Sequence, residues 1–357
     1  MFRIRLPRRP RPDPYVVALL VTVLVAALLP VRGAAAGAAN AVTDLAIAAL
    51  FFLYGARLSS KTVVDGLKHW RLHLVVSLST FALFPLLGLG ASVLVPAVLA
   101  PPVYAGVLFL STLPSTVQSS IAFTATARGN VAAAICSASL SNMAGIALTP
   151  LLVAWLMGGS GGGIAPSSVL NLVLQLLLPF VVGHLARRWI GDWIERHLRV
   201  LGYFDRGSIL LVVYVAFSTS VVTGIWNQVG LVQLGTLFGV IALLLATALA
   251  VITAASRLLG FSRRDENAIV FCGSVKSLAS GLPIASVLFP GATVGLVVLP
   301  VMLYHLLQLV VCAVLARQRG ASEPEPAPYP RRRQPPETGV RTRQIFSRAD
   351  PMLRCST

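Results

Sequence analysis

Long apolar stretches alternate with short polar or charged turns along the chain. A bilayer core about 30 Å thick requires about 20 apolar residues per helix. Ten segments approach that length, and they cover residues 15–30, 40–57, 72–95, 102–127, 130–157, 167–189, 207–224, 231–257, 266–289 and 291–316. The pattern therefore predicts an all-α polytopic membrane protein with ten transmembrane helices.

The composition supports a membrane protein. Of 357 residues, 56% are hydrophobic and 11% are charged, and the mean hydropathy is +0.81. Soluble domains carry about 25% charged residues, so a water-soluble enzyme is excluded. The net charge of +17 comes from short clusters between apolar stretches. Because no basic helix carries base-stacking aromatic residues, we expect no nucleic-acid partner.

The basic residues predict an orientation. With the N-terminus in the cytoplasm, 27 of the 29 Lys and Arg residues fall on the cytoplasmic side; Arg32 lies outside and Lys276 lies within a span. Positive charge favours the cytoplasmic side, so both termini are predicted to be cytoplasmic, in a plasma membrane. An alternative is that residues 1–39 are a secretory signal, which would leave nine spans.

The ten spans divide into two halves, residues 15–157 and 167–316, joined by a glycine-rich turn. Five helices per half place the second half upside down, as in the inverted repeats of secondary transporters. Residues 1–14 are predicted to be a basic cytoplasmic N-terminus and residues 317–357 a disordered cytoplasmic tail. The segment Trp189–Arg206 is predicted to lie along the cytoplasmic interface.

The fourth segment of each half carries a polar, proline-containing interruption. Proline removes a backbone donor and glycine permits unusual dihedral angles, so both segments are predicted to be broken helices that cross near the midplane. The backbone groups freed there must be buried in protein or line a wet cavity. The alternative is two ordinary kinks whose serines bond back to the helix. The candidate binding residues at the breaks are Ser115, Thr116, Gln118, Ser119, Ser120, Gly273, Ser274, Lys276 and Ser277.

Lys276 is the only basic residue deep within a predicted span. Burying its charge costs at least about 2.5–3.5 kcal/mol on insertion scales. It is predicted either to contact an anionic substrate or to act as a tethered cation in place of a coupling ion. The alternatives are a side chain that reaches the cytoplasmic surface and a pair with Asp44. A Ser274–Lys276 hydrolase dyad lacks any supporting motif, so the protein is not predicted to be an enzyme.

Other polar residues could join this region. In the fifth segment Ser137, Ser141, Gly145 and Thr149 share one helical face, which suits close helix packing as well as ion binding. Asn142 beside them needs a polar partner, and it joins Ser141 among the candidate binding residues. Further residues that could line a cavity are Asn171, Gln175, His184, His305 and Gln308.

The runs at residues 113–124, 129–130 and 140–145 closely resemble the bile acid:sodium symporter family, and residues 271–281 resemble its SBF-like branch. The similarity extends over about residues 12–316. It implies ten helices in two inverted five-helix repeats, with broken helices 4 and 9 crossing. It also implies a panel domain of spans 1, 2, 6 and 7 that moves against a core domain of the other six.

The resemblance also implies how sodium would bind. Ser119 and Ser120 fall near the sodium ligands of helix four in sodium-dependent members, the family's glutamate position falls around Cys272, and Lys276 stands close to the family's glutamine. A cation at that place weighs against sodium binding by the usual ligands. Animal relatives of the branch are linked to calcium homeostasis rather than bile acid uptake. The resemblance therefore does not identify the substrate of this chain.

The sequence thus predicts a secondary transporter of a small organic anion, working in a lipid bilayer by alternating access without a cofactor. The driving ion is sodium, a proton or none. A second hypothesis is a non-transporting regulator of ion homeostasis, such as calcium homeostasis, with the tail as its active part. A channel is disfavoured, since the sequence has no charge ring or repeated filter loop. The sequence does not determine the oligomeric state.

Overall fold

The computed structural model describes residues 14–57, 69–157, 166–224, 230–289 and 291–321, and the regular elements among them are all helices. The α-helices are α1 (Pro14–Leu28), α2 (Ala34–Arg57), α3 (Trp70–Leu78), α4 (Phe84–Gly90), α5 (Pro101–Thr112), α6 (Val117–Thr126), α7 (Val131–Met157), α8 (Pro166–Arg196), α9 (Leu198–Val222), α10 (Leu231–Leu258), α11 (Arg263–Ser274), α12 (Leu278–Leu288) and α13 (Gly291–Ala321). A π-helical turn, Ser79–Leu83, joins α3 to α4, and a 3₁₀ turn, Ala91–Leu94, follows α4.

Seven helical stretches are long and apolar enough to cross a membrane, and the bent pair α5–α6 makes an eighth if it is one span. A shorter apolar helix, Val17–Leu28, lies within α1. Each of the ten predicted segments overlaps one helix or a run of consecutive helices. Large apolar side chains such as Trp155 (71% exposed) and Leu231 (88% exposed) lie on the outside, as lipid contact requires. The chain is therefore a multi-pass helical membrane protein.

Two predicted boundaries differ from the structure. Helix α8 continues to Arg196 and α9 begins at Leu198, so the segment Trp189–Arg206, which is predicted to lie along the cytoplasmic interface, is divided between the ends of two helices. Helix α13 continues to Ala321, so the predicted tail begins with a helical turn. Hydrophobicity ends where lipid contact ends, whereas backbone hydrogen bonding can carry a helix further into water. The rest of the predicted tail, residues 322–357, lies outside the described residues.

The first broken span results from Pro114. Helix α5 ends at Thr112, and Leu113 is extended (φ −70°, ψ 148°) because the proline ring excludes the helical conformation for the residue before it. Thr116 is also extended, and α6 begins at Val117. The axes of α5 and α6 differ by 64°.

The second broken span lacks a proline at its break. Helix α11 ends at Ser274, Val275 is extended, and Ser277 caps α12 by accepting a hydrogen bond from the backbone N–H of Ser280 at 3.1 Å. Pro283 lies inside α12, so its predicted role in breaking the helix is wrong. Residues 263–288 are almost wholly enclosed, with 94% of their most apolar stretch buried. This span is therefore the centre of the bundle.

Glycines let α2 and α8 pack closely. A Cβ atom at Gly55 would lie 1.9 Å from the carbonyl oxygen of Phe180, and one at Gly183 would lie 1.9 Å from that of Phe52. Only hydrogen fits at such positions, and small residues drive helix association in membranes for this reason. Helices α1 and α2 also pack on α9, so α1, α2, α8 and α9 form a connected set.

Candidate functional site

The two breaks bind each other directly. The backbone N–H of Ser277 donates to the carbonyl oxygen of Pro114 at 2.8 Å, and the Thr116 hydroxyl donates to the carbonyl oxygen of Lys276 at 2.8 Å. Gly281 lies against Leu113, where a Cβ atom would come within 2.6 Å of the leucine Cδ1. The extended residues of one span thus satisfy those of the other, which ordinary kinks would not require.

Helix α7 supports the first break. The Thr149 hydroxyl donates to the carbonyl oxygen of Thr112 at 2.8 Å, and the Ser141 hydroxyl accepts from the backbone N–H of Ser115 at 3.0 Å. Gly145 leaves room for the ring of Pro114, whose nearest atoms would lie 2.7 Å from a Cβ. The predicted polar face of this helix therefore binds and packs against the broken backbone.

The Lys276 side chain is buried, with 1% of its residue surface exposed. Its ammonium donates to three carbonyl oxygens, those of Thr80 (2.9 Å), Ser111 (3.1 Å) and Leu113 (2.8 Å), which we call the carbonyl cage. The nitrogen also lies 4.0 Å from the ring centroid of Phe84, where the negative face of the ring attracts a cation. No carboxylate is needed to hold this charge, and the lysine does not reach the surface.

Local backbone structure makes the cage possible. The N–H of Phe84 donates to Ser79 in the π-helical turn, and Pro85 has no N–H, so the carbonyl oxygen of Thr80 is left without a helical donor. Ser111 and Leu113 lie where α5 ends, so their carbonyl oxygens also lack helical donors. The negative end of the α5 dipole adds to the attraction for an ammonium.

The second break depends on two residues of α13. The side-chain oxygen of Gln308 accepts from the N–H of Lys276 at 2.8 Å, and its side-chain nitrogen donates to the carbonyl oxygen of the same residue at 2.9 Å. The Tyr304 hydroxyl donates to the carbonyl oxygen of Ser274 at 2.6 Å. Gln308, which the sequence predicts as a possible cavity residue, instead replaces the helical hydrogen bonds of the break. No sequence pattern indicates Tyr304.

A cavity of about 460 Å³ lies beside the meeting point of the breaks. Its polar wall at the breaks consists of Thr116, Gln118, Asn142, Ser277 and Ser280. Asn142 connects the two spans there: its Nδ2 donates to the carbonyl oxygen of Ser115 at 2.6 Å, and its Oδ1 accepts from the Ser280 hydroxyl at 2.8 Å. The volume is that of a small-molecule site.

The opposite wall comes from α1, α2, α8 and α9 and carries the charges of the cavity. Its charged residues are Arg57, Asp205 and Arg206. Apolar side chains lie around them, and they are Phe51, Phe180 and Ile209 on this wall with Ile146 and Ile284 across from it. Neither Arg57 nor Asp205 could be selected from the sequence, because charged residues at the ends of apolar segments are typical of ordinary loops.

The predicted site residues fall into two groups. Those that line the cavity are Thr116, Gln118, Asn142 and Ser277. Those behind its wall are Ser115, Ser119, Ser120, Ser141, Gly273, Ser274 and Lys276. In this conformation the predicted contact between Lys276 and a substrate is therefore not made. Among the further candidates, His305 and Gln308 do not line the cavity either, and the side chains of Asn171 and Gln175 lie outside the described residues.

Several residues behind the wall have identifiable surroundings. The hydroxyls of Ser115 and Ser120 pair at 3.1 Å, and Gly273 permits the close approach of Ser79, whose Cβ would lie 3.1 Å from a Cβ at the glycine. The hydroxyl of Ser119 is buried without a hydrogen-bond partner, and that of Ser274 lies beside the thiol of Cys312. Since the Lys276 ammonium donates to carbonyl oxygens, it does not form the alternative dyad with Ser274.

These features, a pair of facing breaks and a cavity beside them, can be compared with known proteins. The model of the SBF-like CPA transporter family matches residues 13–320. The chain belongs to this family. Within the SBF-like family it resembles PA2026, an uncharacterised protein of Pseudomonas aeruginosa (52% identical over 313 residues, 87% of this chain and 94% of that one).

Two further relatives carry functional names. YfeH of Escherichia coli, named as a symporter, is 50% identical over 306 residues, which are 86% of this chain and 92% of YfeH. Sodium/bile acid cotransporter 7-A of Xenopus laevis is 29% identical over 317 residues, 86% of this chain and 91% of that protein. The SBF-like family thus consists of transporters rather than enzymes, and membership implies a small-molecule substrate and a membrane environment.

Proposed function

We propose that this protein is a secondary transporter that moves a small organic anion across the plasma membrane by alternating access. The observation that carries the proposal is the cavity, whose wall joins both broken spans to a set of helices bearing two arginines and one aspartate. In secondary transporters, substrate sites lie where discontinuous helices of two repeats meet. A positive balance of charge in a low-dielectric cleft attracts anions.

In this proposal the chain consists of two inverted five-helix repeats, residues 15–157 and 167–316, with both termini in the cytoplasm. Helices α1, α2, α8 and α9 would form the panel, and the remaining helices the core. The glycine contacts between α2 and α8 support a panel that moves as a unit, because closely packed backbones resist internal rearrangement. The polar cavity wall, at the breaks, would then approach and leave the panel as access alternates.

Lys276 would serve as the fixed cation of the core. A cage of three carbonyl oxygens is the type of oxygen ligand set that a hard cation such as sodium favours, and here an ammonium fills it. The lysine would replace one coupling ion, and its positive charge would remain with the core throughout the cycle. Sodium coupling, if it occurs, would use oxygens outside the cage.

Transport is tested with the purified full-length chain in proteoliposomes. Uptake of a radiolabelled organic anion is followed with an inward sodium gradient, with a proton gradient and with neither. The name of the Xenopus laevis relative makes a bile acid the first anion to test. Flux that saturates with anion concentration supports the proposal. Absence of flux for a series of carboxylates, sulfonates and phosphates under all three conditions overturns it.

Deletion of the C-terminal tail distinguishes the transporter proposal from the regulator hypothesis. A chain ending at residue 321 keeps α13 intact. A transporter retains its flux after this truncation, whereas a regulator that acts through the tail loses its effect on cellular calcium. Both readouts are taken on the same truncated chain.

A further inference from the structure

Arg57 and Asp205 form a two-pronged ion pair in the cavity wall. Arg57 Nη1 lies 2.5 Å from Asp205 Oδ2, and Nη2 lies 3.3 Å from Oδ1. The arginine ends α2 and the aspartate lies in the second turn of α9. The pair thus presents a guanidinium to the cavity with its outer edge already occupied by a carboxylate.

The pair is reachable from the cavity, and its guanidinium is not fully hydrogen-bonded. The side chains of Arg57 and Asp205 are 22% and 18% exposed, so the pair is partly desolvated, and both residues line the cavity, where a ligand can reach them. The Nε of Arg57 is buried without a hydrogen-bond partner. A guanidinium with an unsatisfied donor has a more favourable arrangement available to it when another acceptor arrives.

The charges of the cavity favour one negative group on the ligand. Arg57, Arg206 and Asp205 are its charged lining residues among those described, and they sum to one positive charge. The guanidinium of Arg206 lies 5.8 Å from the ring centroid of Tyr15, which keeps it beside the same wall. A monoanion neutralises the cavity, whereas a dianion leaves an excess negative charge in a low-dielectric space.

We propose that Arg57 is the anion-binding residue of the cavity and that Asp205 is an internal competitor, which a carboxylate or sulfonate group of the substrate displaces from the guanidinium. This inference rests on the proposed function. The fork of Arg57 matches planar or three-oxygen acid groups, and the exchange replaces one charge-assisted pair by another. The apolar lining residues, such as Phe51 and Phe180, accept an apolar body, so the substrate class is an amphipathic monoanion.

Competition by Asp205 makes the anion site selective. Without it, an unpaired arginine in the empty cavity would attract any inorganic anion. With it, only a ligand that adds apolar contacts to its acid group gains enough to displace the carboxylate. When the ligand leaves, Asp205 restores the pair, so the charge of Arg57 is again neutralised while the empty cavity reorients.

The test measures binding of taurocholate, an amphipathic monoanion, to the purified full-length protein at constant ionic strength. Methyl cholate, which has no charge, is the comparison ligand. We expect Arg57→Gln to weaken taurocholate binding about tenfold or more and to leave methyl cholate binding unchanged. We expect Asp205→Asn to tighten taurocholate binding about threefold or more, because the competing carboxylate is removed.

The double variant and a control decide whether Asp205 acts through Arg57. Arg57→Gln/Asp205→Asn is expected to bind taurocholate more weakly than Asp205→Asn alone, because Arg57 binds the acid group once the carboxylate is gone; equal binding by these two variants would show that Arg57 does not bind the anion and would overturn the competition. Arg188→Gln, an arginine that stacks on Trp189 outside the cavity lining, is the control and should leave binding unchanged.

Failure of this inference can be distinguished from failure of the proposed transport function. Undiminished taurocholate binding by Arg57→Gln overturns the inference and leaves the proposed transport intact. A wild-type protein that carries another anion but does not bind taurocholate overturns the amphipathic class assigned here. Loss of flux for every anion overturns the proposed function and the inference with it.

Discussion

The ammonium nitrogen of Lys276 lies 2.8 Å from the carbonyl oxygen of Leu113, so the side chain of one break binds the backbone of the other. The backbone of Lys276 is in turn held by Gln308 and by the hydroxyl of Thr116. One residue thus joins the π-helical turn, both broken spans and α13. We expect its removal to affect the fold as well as the transport cycle.

Replacing Lys276 by methionine should destabilise the protein. The substitution relieves the desolvation of the ammonium, but it leaves three carbonyl oxygens without a donor, and each costs about 1–3 kcal/mol when buried. We therefore expect a clear fall in the thermal unfolding midpoint in detergent. Leu74→Met, on the lipid-facing side of α3, is the control and should change the midpoint little. An unchanged midpoint for Lys276→Met would show that the cage does not stabilise the protein.

Sodium should partly restore the Lys276→Ala variant. The shortened side chain vacates the cage, and its carbonyl oxygens are suitable ligands for a small hard cation. The expected result is a rise in unfolding midpoint with sodium chloride that is larger for the variant than for the wild-type protein. Choline chloride at the same ionic strength is the control. Equal stabilisation of both proteins, or an equal effect of choline, would contradict the exchange of lysine for a coupling ion.

The contact between α2 and α8 should tolerate no side chain at Gly55. A Cβ atom there would lie 1.9 Å from a backbone oxygen, which cannot move aside without separating the helices. We expect Gly55→Ala to cost about 2 kcal/mol or more, as overpacked positions do. Gly37→Ala lies in the same helix with open space around its Cβ, so it should be neutral or slightly stabilising. Thermal unfolding of the two variants side by side measures the difference.

Asn142 should matter for substrate binding more than Ser280. Asn142→Asp keeps the shape of the side chain but replaces the donor to the carbonyl oxygen of Ser115 by a negative charge in the cavity. An anion should then bind about tenfold more weakly or worse, because the added charge repels it. Ser280→Ala removes one hydroxyl and should have a smaller effect on the apparent KM for uptake. A larger effect of Ser280→Ala than of Asn142→Asp would place the anion away from Asn142.

The positions of the apolar segments and of both breaks could be predicted from the sequence. Span length and the effect of Pro114 on the residue before it are local properties, so they can be recognised without knowing the neighbours in space. The same holds for Lys276, since a charge inside an apolar segment is conspicuous wherever its partners lie. The second span is also interrupted, but Pro283 does not cause its break. The sequence does not show which residues hold the second break in place. These residues, Tyr304 and Gln308, lie far from the break in sequence.

The sequence by itself determined a helical membrane chain, the break at Pro114 and a lysine within an apolar segment, because hydrophobicity and proline act over a few neighbouring residues. Only the tertiary structure decided that the lysine binds backbone carbonyls instead of facing the cavity, and that Arg57 meets Asp205 there. These partners are separated by 163 residues for Lys276 and Leu113 and by 148 for Arg57 and Asp205. Contacts over such separations depend on how the helices pack, which no local pattern specifies.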